Sequence, residues 1–151
     1  MTRKGQLTVI GTQWDETGEE QRTQTTASAE YYTANGSLYL LYEEISAEDK
    51  EITKNMIKLK GSMLELTKRG AVNARMVFEP KQEYMTLYST PFGSLPLGIL
   101  TDTLESVLSE KEILISATYS LTCQDLSGQD PTSQRNVISH CKIFIQMVFQ
   151  D

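Results

Sequence analysis

A chain of 151 residues with 39% hydrophobic and 23% charged positions, nine Gly and four Pro, has the composition of a single ordinary globular domain. Its formal net charge of -6, from Lys+Arg 14 against Asp+Glu 20, speaks against a dedicated nucleic-acid binder, which needs clustered positive surface for phosphate. No apolar run approaches the roughly 18 residues of a membrane span, and LTVIG after Arg3 and Lys4 is too short for the core of a signal peptide. The expectation is therefore a cytoplasmic protein with no nucleic-acid or membrane partner.

From the N-terminus, residues 5–13 (GQLTVIGTQ) are β-branched and apolar at their centre, and 21–33 (QRTQTTASAEYYT) carry the Thr and aromatic content of a strand. The charged stretch DETGEE, Asp15 to Glu20, is the turn between them. Asn35-Gly36 tolerates positive φ at both positions, which is the strongest short hairpin signal, and it leads into SLYLLYEEI at 37–45. Gly61 and Gly70 then divide the chain into ITKNMIKLK, MLELTKR and NARMVFE, three further short strands closed by Pro80. EYMTLYS at 83–89 meets Thr90-Pro91-Phe92-Gly93, whose Pro at the second and Gly at the fourth position suit a type I turn.

Two segments carry a competing signal. Ile52, Met56, Leu59, Met63 and Leu66 recur at alternating four- and three-residue spacings, and Ser46-x-x-Asp49 resembles a capping box, so periodicity favours a helix. Against it, Gly61 costs a helix interior roughly 1 kcal/mol relative to Ala, and Ile57 and Leu59 alternate with Lys58 and Lys60 as in a half-buried strand. TLESVLSEKE at 103–112 shows the same ambiguity, with Leu104, Val107 and Leu108 at helical spacing.

The last third reads plainly as strand. In ILISATYSLTC the odd positions Ile113 to Cys123 form an apolar face, opposed by Ser116, Thr118, Ser120 and Thr122. Beyond the polar loop QDLSGQDPTSQ, Val137, Cys141, Ile143, Ile145, Met147 and Phe149 repeat the pattern. Cys123 and Cys141 share that parity, and their midpoint, residue 132, lies in the loop, so the two should be neighbours across the final hairpin as buried free thiols. A run of sequential hairpins implies an all-β, antiparallel up-and-down meander that removes its edges by closing into a barrel, one domain over residues 1–151.

Chemistry-bearing motifs do not emerge. Two cysteines and the single His140 are too few, and wrongly spaced, for a structural zinc site. A serine triad would have to use His140 without a GxSxG elbow, and neither a P-loop nor a GxGxxG follows a strand. The residues thus name no catalytic group, metal or cofactor.

Four stretches, GSLYLLYEEI (36–45), GAVNARMVFEP (70–80), YSTPFGSLPLGILT (88–101) and ILISATYSLT (113–122), in that order and spacing resemble the YwiB-like family of small bacterial proteins of unknown function. The resemblance runs from about Gly36 to Phe149 and rests on turns and strands rather than on chemistry. It implies a calycin-like, lipocalin-type barrel of roughly eight to ten strands, with the segment from Ile52 to Leu66 in strand. It supplies no binding or catalytic residues.

Barrels of that size can hold a small ligand, and the polar-tipped strand residues Arg75, Tyr84, Tyr88 and Tyr119 are the candidate contacts for a small anionic or amphipathic molecule. Arg75 is the sharpest, because a guanidinium forks onto carboxylate or phosphate; yet if Ala74, Met76 and Phe78 face the core, it faces solvent. The alternative is a protein-interaction module: Lys50, Lys54, Lys58, Lys60, Lys68, Arg69, Arg75 and Lys81 concentrate positive charge in mid-chain, a wall for an acidic partner. If Lys58, Lys60, Lys68 and Arg75 project from adjacent strands, they also form a sulfate or phosphate site.

Overall fold

The computed structural model describes residues 2–48, 50–123 and 136–150. Ten strands account for most of them: β1 (Arg3–Trp14), β2 (Glu20–Ala34), β3 (Ser37–Ile45), β4 (Ile52–Lys60), β5 (Met63–Arg69), β6 (Ala74–Phe78), β7 (Glu83–Thr90), β8 (Gly93–Leu108), β9 (Glu112–Cys123) and β10 (Asn136–Phe149). The helical spacing over Ile52 to Leu66 and over 103–112 is therefore overridden. Each segment is instead strand interrupted by a turn, at 61–62 and at 109–111; in the first, Leu59 and Leu64 share one inward face, where only a two-residue period places them. Among the described residues there is no helix long and apolar enough to cross a membrane.

All pairings are antiparallel, in the order β6-β5-β4-β3-β2-β1-β10-β9-β8-β7, so chain order and spatial order coincide around the ring once β1 meets β10. The result is an up-and-down barrel, nearly closed. Hairpin chemistry sets the register. Asn35 and Gly36, at φ 53° and 78°, make the turn that pairs Ala34 with Ser37 and Ala29 with Tyr42. At the Thr90–Gly93 corner the Thr90 hydroxyl accepts from Phe92 N (3.1 Å) and donates to Gly93 O (3.1 Å).

Alternation then fills the interior. Leu7, Leu40, Ile57, Leu64, Phe78, Ile99, Ile115, Ile145 and Met147 are all essentially inaccessible, and together they plug the middle of the barrel as a packed core. One end is sealed by aromatic packing: Tyr31 meets Phe149 edge-on with ring centroids 5.3 Å apart, and the Arg3 guanidinium sits 3.7 Å over the Phe149 ring.

The ring's weak joint is β6–β7. These strands lie side by side, but among the described residues they share no ladder; just before β6, Asn73 and Ser89 form a bridge with two backbone hydrogen bonds of 2.9 Å. The far end of that seam is held by the Tyr84 hydroxyl, which donates to Glu79 Oε2 at 2.6 Å, and by Thr101, which accepts from Lys81 N and donates to Gln82 O.

The final hairpin departs from the expected register. Cys123 lies opposite Asn136 and Cys141 opposite Tyr119, with a bulge between Val137 and Ser139. The cysteines are thus four positions apart along the ladder rather than neighbours, because the strands pair about a centre two residues earlier than residue 132. Val137 falls on the wrong side of that bulge and is 43% exposed, while Ser139 is buried in its place. Thr122, expected on the wet face, is buried beneath Glu83, to which its hydroxyl donates at 3.1 Å. The turn itself lies outside the described residues.

Candidate functional site

A broad concavity arises where two strands part. β2 and β3 pair only from Ala29↔Tyr42 to Ala34↔Ser37; before Ala29, β2 follows β1 as far as Trp14↔Glu20, while β3 from Glu43 to Ile45 stays with β4. A cleft of about 860 Å³ occupies this region, lined by parts of β1 to β5 and by Gln150. Its apolar lining comes from Ala27, Ala29, Leu41, Ile45 and Met56. Around them stand three cations, Lys4, Lys54 and Arg69, and two acids, Glu30 and Glu43.

The charge arrangement is unusual for a sheet surface. Lys54 and Arg69 are direct cross-strand partners, and like charges so placed repel. Glu43 lies opposite Lys54 on its other side, yet among the described residues no carboxylate oxygen comes within 4.0 Å of the Lys4, Lys54 or Arg69 charge. Two adjacent unneutralised cations beside an apolar trough are suited to an anionic head group with an attached hydrocarbon portion.

Behind the trough, on the inward parity of β3, β4 and β5, lies a polar network. Lys68 Nζ donates to Glu44 Oε1 (2.8 Å) and to Asn55 Oδ1 (2.9 Å), and Asn55 Nδ2 donates to Thr53 O (3.2 Å). With side chains 21% and 32% exposed, Lys68 and Glu44 still reach solvent at the barrel mouth, so their pairing carries only part of a buried ion pair's desolvation cost. Tyr42, which also lines the cleft, has its hydroxyl pKa pushed up by burial and then by the Glu44 charge, keeping it a proton donor. Across the lumen, Gln13 Nε2 donates to Ser139 Oγ at 3.0 Å, and Ser139 Oγ approaches Cys141 Sγ at 3.6 Å. Burial raises the Cys141 thiol pKa, so this sulfur is a poor nucleophile. No group of three metal-ligating side chains occurs among the described residues.

The four side chains singled out from sequence do not converge. Arg75 is on the outer wall, with Nε donating to Glu65 Oε1 at 2.7 Å, as the alternation with Ala74 and Met76 required. Tyr119 is inside, edge-on to Phe78 at 4.8 Å, and its pKa is raised by burial. Tyr84 is committed to Glu79 at the seam, a bond that raises its pKa, and Tyr88 lies half-buried further along β7. The mid-chain basic residues likewise divide between faces. Lys58 and Arg75 point outward, Lys60 ends β4, and Lys68 points into the barrel toward Glu44, so the four-residue anion site expected from Lys58, Lys60, Lys68 and Arg75 does not form. The pair that does meet, Lys54 and Arg69, was readable from the Gly61-Ser62 turn, which fixes their register.

Ten antiparallel strands in chain order around a packed interior define an up-and-down β-barrel of single-domain size. Residues 8–131 match the family described as Domain of unknown function (DUF1934), and the chain belongs to that family. The fold is shared with the crystal structure of the YwiB protein from Bacillus subtilis, at a TM-score of 0.74 and 20% identity over 97% of this chain and 92% of that one. No curated protein matches the sequence.

Proposed function

We propose that the protein is a binding barrel that takes a small amphipathic anion, head group against Lys54 and Arg69 and apolar part along Leu41, Ile45 and Met56. The observation that carries this reading is the unneutralised Lys54–Arg69 pair beside an apolar cleft in a chain of net charge -6. Because side chains fill the middle of the barrel, the ligand lies in the cleft between the diverging strands rather than in the lumen. Lys4 on the opposite rim adds a third cation, and Glu30 and Glu43 disfavour a second negative charge on the ligand.

Calorimetric titration with decanoate, and with the uncharged decanol for comparison, tests the reading. Decanoate should bind the native protein. The double substitution Lys54→Gln, Arg69→Gln should weaken it about tenfold, two exposed charge contacts at roughly 0.7 kcal/mol each, while decanol binding is unchanged. Equal decanoate affinity in the two proteins, or no binding to either, refutes the proposal.

A further inference from the structure

We infer that the outward face of the β7–β8 hairpin is a docking surface for a second copy of this chain. From Tyr84 to Thr101 the sequence holds no charged residue, over a length that at the chain's 23% charged average would hold several. Pairing of Leu87 with Pro96, Met85 with Gly98 and Glu83 with Leu100 sets these residues on one side of the hairpin. It is the outer side, because the intervening Ile99, opposite Tyr84, is buried in the core. Met85 and Leu87 are half exposed, Leu100 more than a third, Pro96 is exposed, and Phe92 at the turn is exposed completely. With an aromatic side chain taken at about 200 Å², this face shows roughly 500 Å² of apolar surface, in the upper range of what a monomer ordinarily leaves open.

Hydroxyls on this face are already satisfied. Ser89 Oγ and Ser94 Oγ pair at 3.0 Å, Thr90 Oγ1 is bonded within its turn, and Thr122 donates to Glu83, so a neighbour can cover them without orphaning a polar group. Area and charge name the occupant. A standard interface takes about 800 Å² from each partner, which the apolar face and its hydroxyl margin supply together. Two chains of net charge -6 repel where acidic surfaces meet, and this uncharged stretch lets them approach without that cost. An uncharged face is complementary to its own copy, and a two-fold axis across it makes every contact twice and closes the pair. Its rim carries both signs, Arg75 on β6 toward the turn end and Glu83 at the start of β7; antiparallel hairpins turn the positive end of one rim toward the negative end of the other. A bilayer fits less well, because the hairpin offers no Lys or Arg to head groups and Glu83 and Asp102 flank it.

Sedimentation velocity of the intact chain over a micromolar concentration series tests this. A species of twice the 17.0 kDa chain mass should form, and its fraction should rise with added salt, because screening removes the repulsion between acidic copies while apolar contact remains. Leu87→Gln should weaken the dimer at least tenfold. Phe92→Ser should weaken it as well, and because Phe92 is fully exposed in the single chain, its loss should leave the urea midpoint of the monomer unchanged. Val107→Gln with Leu108→Gln, a comparably exposed apolar pair at the far end of β8, should leave the dimer as it was. A chain that stays monomeric throughout the series at high salt, a dimer indifferent to both Leu87→Gln and Phe92→Ser, a dimer dissociated by salt, or a monomer that binds phosphatidylcholine vesicles through Phe92 overturns the inference.

Discussion

Replacing Gly5 by alanine adds one methyl group at the joint that closes the ring. Gly5 pairs with Ala29 on one side and Phe149 on the other, and a Cβ there would stand 2.3 Å from Val148 O and 3.0 Å from both Val148 C and Met147 Cε. Comfortable contact begins near 3.5 Å, so β1 and β10 must separate by roughly 1 Å. Overpacking of this kind costs about 1–3 kcal/mol, and the upper end applies because the obstacle is ladder backbone rather than the end of a flexible side chain. For a domain of this length the loss corresponds to a fall in Tm of about 6–12 °C. Gly11→Ala is the control. Its Cβ meets only the rotatable Thr23 Oγ1, at 3.1 Å, and the lost freedom of the unfolded chain returns about 0.4–1 kcal/mol, so stability should stay within about 0.5 kcal/mol of the native value. Urea unfolding with unchanged m-values measures both. If Gly5→Ala lies within about 1 kcal/mol of Gly11→Ala, the backbone clash is not what makes glycine necessary there.

The Arg75–Glu65 pair gives a pH signature. The Arg75 hydrogen bond holds the Glu65 carboxyl below its ordinary pKa, so the stabilisation is present above that value and is lost as pH falls through the lower, folded one. Arg75→Gln should cost no more than about 1 kcal/mol at neutral pH, since Arg75 is largely exposed, and the difference should shrink to nothing in acid; a difference that grows in acid contradicts the assignment. For the cysteines, four ladder positions amount to about 13 Å along the strand, beyond the roughly 7 Å a disulfide can span. Mild oxidation should therefore give no intrachain bridge by mass spectrometry, and Cys141 should react with a thiol reagent only after unfolding.

Much of the strand pattern could be read directly, because turn chemistry is local: Asn35-Gly36, Gly61-Ser62 and Thr90-Pro91-Phe92-Gly93 each fix a hairpin without reference to the rest of the chain. The helical spacing through Ile52 to Leu66 competed with the strand reading, which holds, because outward Ile52, Met56 and Met63 and inward Leu59 and Leu66 together imitate a 3.6-residue period. Bulges have no such local signal. The one at Val137/Ser139 exchanges Val137 for Ser139 on the inner face, and the one at Thr101/Thr103 shifts β8 against β9. The cleft was legible only in part. Lys54 opposite Arg69 follows from one turn, whereas the parting of β2 from β3 depends on β2 being longer than its partner, a property of the assembled sheet. Arg75, Tyr84, Tyr88 and Tyr119 were chosen for what their side chains can do, and strand parity then distributed them over both faces of the wall.

The pairing of β1 with β10 fixes the order in which this molecule can be completed during synthesis. β1 acquires its second neighbour only when residues beyond Asn136 have emerged, so every earlier stage carries an open sheet with Leu7 and Val9 uncovered on one margin. Contacts of such long sequence separation form slowly, and a nascent sheet with two free margins can pair with another chain in the meantime. The hairpins from β2 to β6 and from β7 to β9 supply the compensating local contacts, which leaves ring closure as the step most exposed to interference by chaperones or by neighbouring chains.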